Sequence, residues 1–260
     1  MTLLFDTHAH YDSEAFDPDR EQVLQALPQQ GVGLVLNPGC NLRTSRQAVA
    51  LAHQYPYVYA AVGIHPEDCA GDMEAELEGI AALCSDPRVK AIGEIGLDYH
   101  WEENPLRQRQ QEIFRQQMAL AQARDLPVIV HDRDAHADSM AIVREFPDVR
   151  GVFHCFSGSA EMARQLVDLG WMLSFTGVLT YKNARRAVEA AAAVPLERLM
   201  IETDSPYMAP EPCRGQRNDS TLVRFVAKKL AEIKGLTPQE VIQITAENGK
   251  RFFRIEHSVS

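Results

Sequence analysis

Eight short apolar or β-branched segments alternate with helical segments along this chain, and this alternation constrains the fold more than any other feature. The predicted strands are Leu3–Thr7, Val32–Asn37, Val58–Gly63, Val89–Gly93, Pro127–His131, Gly151–His154, Met172–Thr176 and Leu199–Thr203. Each is followed by a segment with helical spacing or capping signals. The first helix is predicted over Pro18–Gln30, after a capping Asp17, and the longest over Pro105–Arg124. Strands that alternate with helices are typical of a parallel sheet.

The number of strand–helix units favours a closed barrel over an open sheet. Eight units without a linker or a break in composition predict an α/β fold, a single TIM-type (β/α)8 barrel domain over residues 1–260. The same length would also permit two domains of about 130 residues, or an open doubly wound sheet. Neither glycine-rich nucleotide signature of such open sheets occurs in the sequence. A barrel requires the functional side chains to lie at the carboxyl ends of the strands.

The composition and charge of the chain disfavour several classes of protein. The chain has 36 Asp and Glu against 26 Lys and Arg, a formal net charge of −10. This balance disfavours non-specific coating of nucleic acid, which depends on Lys and Arg, but it permits an enzyme that holds phosphates through metal ions. No apolar run reaches the ~18 residues of a membrane helix. Five cysteines without Cys-x-x-Cys spacing, and an N-terminal segment unlike a signal peptide, predict a cytoplasmic protein without disulfides.

Histidines and carboxylates stand where the predicted strands end. They are His8, His10, Glu94, His131, His154 and Asp204. His8 and His10 are two residues apart on a strand, so they share one face and can chelate one ion. Each of the other four could be structural when taken alone. Together they predict a site for two divalent metal ions (Zn, Mn or Mg), ~3.5–4 Å apart and bridged by Glu94, with Asp204 also accepting a proton.

A second set of residues is expected to hold the substrate. Arg133 lies two residues beyond His131 and faces the same way if the strand continues. Arg214 and Arg217 follow the eighth strand, and guanidinium groups match phosphate oxygens, although each arginine could instead be solvated or paired with an acid. His65 is expected to orient the substrate or neighbouring groups, or simply to pack. The segment Tyr99–Trp101 could stack on a base or only pack its loop.

Six blocks of this sequence together resemble the TatD family of metal-dependent deoxyribonucleases, within the amidohydrolase superfamily. The blocks span nearly the whole chain and are Asp6–His10, Val62–Pro66, Ile92–Asp98, Val130–Arg133, His154–Gly158 and Ile201–Tyr207. The resemblance implies a TIM-type barrel and hydrolysis of phosphodiesters, often as 3′-end trimming of DNA. It also implies the same six metal ligands, with Glu94 as the bridge and Asp204 as proton acceptor. The loop Pro212–Ser220 departs from the family pattern, because Gln216 stands where a lysine is usual and one positive charge is lost.

Three functions remain open at this point. The first is a nuclease of 3′–5′ exonuclease type, with single-stranded DNA ends as substrate, in which the metal ions generate hydroxide from a bridging water. The second keeps the same site but cleaves another ester or an amide, such as a lactone or an aminoacyl ester on tRNA. The third is a catalytically silent barrel that binds a metal or a partner protein. All six ligand types are present in the sequence, which disfavours the third.

Overall fold

The computed structural model describes residues 3–256 as eight parallel strands that alternate with helices. The strands are β1 Leu4–Asp6, β2 Val32–Pro38, β3 Val58–Val62, β4 Val89–Asp98, β5 Val128–Arg133, β6 Gly151–Phe153, β7 Met172–Phe175 and β8 Leu199–Ile201. The helices are α1 Arg20–Ala26, α2 Leu42–Gln54, α3 Glu74–Leu83, α4 Arg107–Arg124, α5 His136–Glu145, α6 Ala160–Asp168, α7 Arg185–Ala193, α8 Val223–Lys234 and α9 Pro238–Phe252.

The sheet closes on itself, as a TIM-type barrel requires. The eight strands pair in sequence order from β1 to β8, and every neighbouring pair is parallel. The first and last strands are joined by backbone hydrogen bonds from Thr7 to Ile201 (3.3 Å) and from Asp204 to His8 (2.9 Å), and by a bridge between Ala9 and Ser205. The predicted (β/α)8 barrel is therefore confirmed.

One ring of side chains fills the lower interior of the barrel. Each strand contributes one buried apolar residue to it: Phe5, Leu36, Ala61, Ala91, Ile129, Val152, Met172 and Met200. The end of α9 packs beneath this ring, where the Phe5 and Phe253 rings lie 6.1 Å apart. Because side chains alternate across a strand, the residue two positions further along each strand belongs to the next layer up. For β5 that residue is His131, and for β6 it is His154, directly after the last residue of the strand.

Two of the differences between predicted and observed boundaries have a clear physical reason. We expected the fourth strand to stop at Gly93, with Glu94 at its end. Instead β4 runs to Asp98, because Ile95–Asp98 continue to pair with Val130–Arg133 of β5. The first helix begins at Arg20 rather than Pro18, with Asp19 at its N-cap instead of Asp17. It becomes a 3-10 turn at Leu27–Gln30, since Pro28 has no N–H to donate within an α-helix.

The other helices follow the sequence signals closely. Helix α9 begins at Pro238, directly after Thr237, with a capping box between Thr237 and Glu240. Within residues 3–256, none of the helices is long and apolar enough to cross a membrane.

Candidate metal centre

Strand ends bring the six predicted ligands into one cluster, which we call the cage: His8, His10, Glu94, His131, His154 and Asp204. His131 lies on β5 and Glu94 on β4, while His154 and Asp204 follow β6 and β8. All six line or adjoin the same end of the barrel, and four of them are buried: His8, His10, Glu94 and His154.

One half of the cage surrounds the Oε2 oxygen of Glu94. The Nε2 atoms of His8 and His10 lie 3.0 Å apart. They are 3.3 and 3.5 Å from Glu94 Oε2. Asp204 Oδ1 completes this half, at 3.7 Å from His8 Nε2 and 3.5 Å from His10 Nε2.

The other half surrounds the second oxygen of the same carboxylate. Glu94 Oε1 lies 2.6 Å from His154 Nε2 and 3.1 Å from His131 Nδ1. These two nitrogens are 3.4 Å apart. His65 Nε2 stands at 3.6 Å from the same oxygen, and its ring meets the His131 ring edge-on. Glu94 therefore presents one oxygen to each half, which is the arrangement expected of a bridging carboxylate.

The donor set of the cage fits divalent metal ions. Two ligands ~2.0–2.1 Å from a tetrahedral ion are ~3.3–3.4 Å apart, close to the separations in both halves. With neutral imidazoles, Glu94 and Asp204 leave the cage with a negative charge. Within residues 3–256, no Lys or Arg nitrogen comes within 4.0 Å of either carboxylate to offset it. When the imidazoles lose their protons to bind metal, divalent cations therefore take over the compensation of this charge.

Carboxylates outside the cage hold two of its histidines, and we did not identify them as site residues from sequence. Glu202 Oε1 accepts from His154 Nδ1 (3.3 Å) and from the Cys155 backbone N–H (2.7 Å). Asp98 Oδ2 accepts from His131 Nε2 (3.0 Å). The sequence spacing of both residues could have indicated this position. Glu202 lies two residues before Asp204, and Asp98 lies four residues after Glu94, and residues an even number apart on a strand share one face. Their contact with histidines depends on register between distant strands.

Cys40 was also not predicted to lie at the site, because a single cysteine without Cys-x-x-Cys spacing carries no signal of metal binding. Its Sγ, a nitrogen of His10 and a carboxylate oxygen of Glu94 lie within 4.8 Å of one another. Burial raises the pKa of the Cys40 thiol above its usual range. The sulfur is therefore protonated at neutral pH in the absence of a metal.

The charge state of the cage follows from competition between burial and neighbouring charges. Burial raises the pKa of Glu94, but the nearby His154, His8 and His65 outweigh it and hold that pKa well below its usual range. Burial lowers the pKa of His131, but ion pairs with Asp98 and Glu94 raise it to about 9. The pKa of His65 falls to about 3, through burial and the neighbouring His131.

A cavity of about 870 Å³ opens above the cage. Arg133 lines it, as predicted from its spacing to His131, and its guanidinium stands 5.2 Å from the ring centre of Trp101. Trp101 also lines the cavity and is 45% exposed. Arg186, on α7, also lines this cavity, whereas its position in a helical segment of the sequence favours a helix face rather than contact with substrate. An apolar part of the lining, which we call the apolar wall, comprises Phe156, Phe175, Val178, Leu179, Ala184 and Ala187.

The two other predicted arginines lie elsewhere. Arg217 forms a two-pronged ion pair with Asp19, with N–O distances of 2.7 and 2.6 Å. Arg214 stands over the ring of Tyr181 at 4.4 Å. Neither is among the residues that line the cavity. The Tyr99 hydroxyl donates to Asp138 Oδ2, and His100 Nδ1 bonds to Asp134 Oδ2, both at 2.8 Å. Of the segment Tyr99–Trp101, Trp101 alone is among the residues that line the cavity.

Comparisons with known proteins agree with this architecture. The family described as TatD related DNase matches residues 5–254. The "Uncharacterized metal-dependent hydrolase YabD" of Bacillus subtilis (strain 168) is 43% identical over 97% of this chain and 100% of its own length. The "3'-5' ssDNA/RNA exonuclease TatD" of Pectobacterium carotovorum is 33% identical, with 97% and 100% covered. The crystal structure of YjjV, a TatD homologue from Escherichia coli K12, superposes with a TM-score of 0.91 at 33% identity, covering 97% of this chain and 98% of that one. The chain therefore belongs to the TatD-related family of metal-dependent hydrolases.

Proposed function

We propose that this protein is a metal-dependent nuclease that removes nucleotides from the 3′ end of single-stranded nucleic acid, with DNA as the first substrate to test. The proposal depends on one observation above all. Glu94 offers one oxygen to each half of the cage, at the floor of a cavity whose wall carries Arg133. Paired divalent sites bridged by a carboxylate suit in-line displacement at phosphorus.

The names of two relatives support the same substrate class. The Pectobacterium relative described above and one from Salmonella typhimurium, 30% identical over 97% of this chain, are both named 3′–5′ ssDNA/RNA exonucleases. Nothing in the chain's acidic composition opposes such a substrate, because a few phosphates can be held through metal ions and single arginines.

The protein's own groups account for the remaining steps. Two divalent ions in the cage would supply a nucleophile from water near neutral pH and offset charge on the phosphate. Burial raises the pKa of the Asp204 carboxyl, but His10, His8 and His154 outweigh burial and lower it, so the group is ionised near neutral pH and Oδ1 is free to accept a proton. Glu202 and Asp98 hold the rings of His154 and His131 in a fixed orientation through hydrogen bonds to one ring nitrogen of each.

Arg133 and Trp101 are placed to hold a nucleotide above the cage. In the described part of the chain, no carboxylate lies within 4.0 Å of the Arg133 guanidinium, so its donors remain available for phosphate oxygens. The exposed face of Trp101 can stack on a base without regard to sequence. We assign His65 to orienting His131 and Glu94. Contact of Arg214 and Arg217 with the substrate stays a prediction that concerns nucleotides outside the cavity.

The test is cleavage of defined oligonucleotides. Purified protein is incubated with 5′-labelled single-stranded DNA, duplex DNA and RNA in turn with Zn²⁺, Mn²⁺ or Mg²⁺, and a chelator serves as the blank. We expect a ladder that shortens from the 3′ end, which a 3′-terminal phosphorothioate slows. The Asp204→Asn protein, prepared identically, excludes a contaminating nuclease. Absence of cleavage with all three metals would refute the proposal.

The apolar wall of the cavity favours one second candidate. Phe156, Phe175 and Leu179 could accommodate an apolar acyl group, as in an ester, a lactone or an aminoacyl ester on tRNA. The same cage would then act on a carbonyl. Rapid hydrolysis of uncharged esters by a protein that leaves every oligonucleotide intact would identify this activity instead.

A further inference from the structure

A second cavity, of about 330 Å³, lies at the opposite end of the barrel from the cage. It is lined by residues that immediately precede β6, β7 and β8 and by the last turn of α9. Three of these residues are arginines, Arg150, Arg198 and Arg251, and we call this site the arginine cavity. Since the cage lies where the same strands end, the length of the barrel separates the two sites.

The arginine cavity is positively charged in a protein that is otherwise acidic. The chain has ten more acids than Lys and Arg, as its formal net charge of −10 states. Yet Glu197 is the one carboxylate among the lining residues. Within residues 3–256, neither Arg198 nor Arg251 has a carboxylate oxygen within 4.0 Å, and the nearest to Arg150 is Asp125 at 3.9 Å. Asp125 itself is held by Arg254.

Each of the three guanidinium groups is fixed by a neutral oxygen. Arg150 Nη1 donates to the Phe252 carbonyl (3.4 Å), Arg198 Nη1 to the Gly170 carbonyl (3.0 Å) and Arg251 Nη2 to Asn248 Oδ1 (2.8 Å). Arg150 Nη2 is buried, and no atom of the described residues accepts a hydrogen bond from it. Burial, reinforced by the neighbouring Arg254, lowers the pKa of Arg150.

A bound anion would offset the charge of the three arginines and accept the hydrogen bond that Arg150 Nη2 lacks. Three like charges close together repel one another, and a buried donor without an acceptor costs free energy. The groups are already held in place, so a ligand would find donors that need little further ordering. Guanidinium forks pair with tetrahedral oxyanions through two parallel hydrogen bonds.

We propose that the arginine cavity is a binding site for a phosphate dianion, either inorganic phosphate or the phosphate group of a nucleotide. The site is separate from the cage and does not depend on the function proposed above. The arginines also lie near the carboxyl end of α9, where positive charge would stabilise the helix without any ligand. Only anion binding distinguishes the two roles.

The experiment titrates the metal-loaded, full-length protein with inorganic phosphate and, separately, with a nucleoside 5′-monophosphate, at constant ionic strength. The concentration dependence of the Arg198 and Arg251 Nε–H resonances gives the Kd of the arginine cavity, and calorimetry gives the total number of anions bound, including any at the cage. Phosphate bound at the cage would not shift the resonances of Arg198 and Arg251. The variants are Arg198→Ala and Arg251→Gln. The control is Arg164→Ala, which removes the same charge from an exposed arginine of α6 that is paired with Glu161.

We expect saturable shifts of the Arg198 and Arg251 resonances. Loss of one charge-assisted pair should raise the Kd about tenfold in either cavity variant and leave it unchanged in Arg164→Ala. Tighter binding of the nucleotide would identify a nucleotide phosphate as the ligand, and equal binding would identify free phosphate. Resonances that do not saturate, or a Kd unaltered in both cavity variants, would overturn the proposal. Arg251 is exposed, so its replacement preserves the fold.

Discussion

Glu202 holds His154 from outside the cage. Its Oε1 accepts from His154 Nδ1 at 3.3 Å, so the opposite ring nitrogen, Nε2, is directed to Glu94 Oε1 at 2.6 Å. Glu202 is 1% exposed and also accepts from the Cys155 backbone. An imidazole whose outer N–H is held by a carboxylate is both oriented and a stronger metal ligand.

Replacing Glu202 with Gln should therefore weaken metal binding without removing a cage residue. We expect metal affinity to fall about 10–100-fold, the usual loss when the partner of a ligating histidine is changed. Competition against a chromophoric chelator measures the affinity. Glu232→Gln, an exposed acid on α8, is the matched control and should behave as the unmodified protein. Equal affinities in both variants would show that Glu202 does not tune His154.

Loss of the carboxylate of Asp204 should lower the activity without changing the fold. Asp204→Asn keeps the size of the side chain but removes the proton acceptor. We expect hydrolysis to fall about 10²–10⁴-fold, the range for loss of a general base. The circular dichroism spectrum should be unchanged, because Asp204 lies after β8 rather than in the packed core. The control is Asp148→Asn, at an exposed position. Full activity of Asp204→Asn would remove this residue from the mechanism.

Metal uptake should release protons at neutral pH. In the metal-free protein the pKa of His131 is about 9, and the pKa values of His10 and His154 are also raised well above the usual range. These imidazoles carry protons at pH 7 that a metal must displace, so affinity should fall as the pH is lowered from 9 to 6, by about tenfold per unit for each proton displaced.

Calorimetric titration with metal in two buffers of different ionisation enthalpy counts the released protons. His53→Ala changes an exposed histidine that pairs with Asp86, and it should release the same number as the unmodified protein. Apparent binding enthalpies that coincide in the two buffers would contradict the raised pKa values.

Local patterns in the sequence were sufficient to predict the barrel and to place six polar side chains at one end of it; that these six bind metal stays a prediction. Strand ends were marked by the alternation of apolar runs with polar residues, and a barrel places all such ends on one side. The carboxylates that hold the cage histidines could not be predicted from the sequence. Contacts such as Glu202 with His154 join positions 48 apart in the chain and depend on strand register. Arg217 failed to reach the cavity because Asp19, far away in sequence, holds it.

The extension of β4 beyond Glu94 also depends on strand pairing that the sequence does not reveal. One residue of this extension, Gly96, gives a prediction about stability. Gly96 pairs with His131, at a φ of +134°, and a Cβ there would lie 2.0 Å from the His131 carbonyl oxygen. Gly96→Ala should lower the free energy of unfolding by about 2–3 kcal/mol and displace His131. Urea unfolding measures the first effect and metal affinity the second. Gly71→Ala, also at positive φ but in open space, separates backbone strain from the clash. Equal losses in the two variants would exclude the clash.

Arg133 distinguishes the two candidate substrates of the cage. If its guanidinium binds a phosphate, Arg133→Ala should lower kcat/KM on single-stranded DNA about 10–100-fold, while hydrolysis of an uncharged ester by the same protein should change less than about threefold. Arg133→Lys should recover part of the loss, since the charge returns without the fork. The control is Arg164→Ala, because that exposed arginine of α6 pairs with Glu161 and does not line the cavity. Equal losses on both substrates would mean that Arg133 supports the cage or the ring of Trp101 rather than the phosphate.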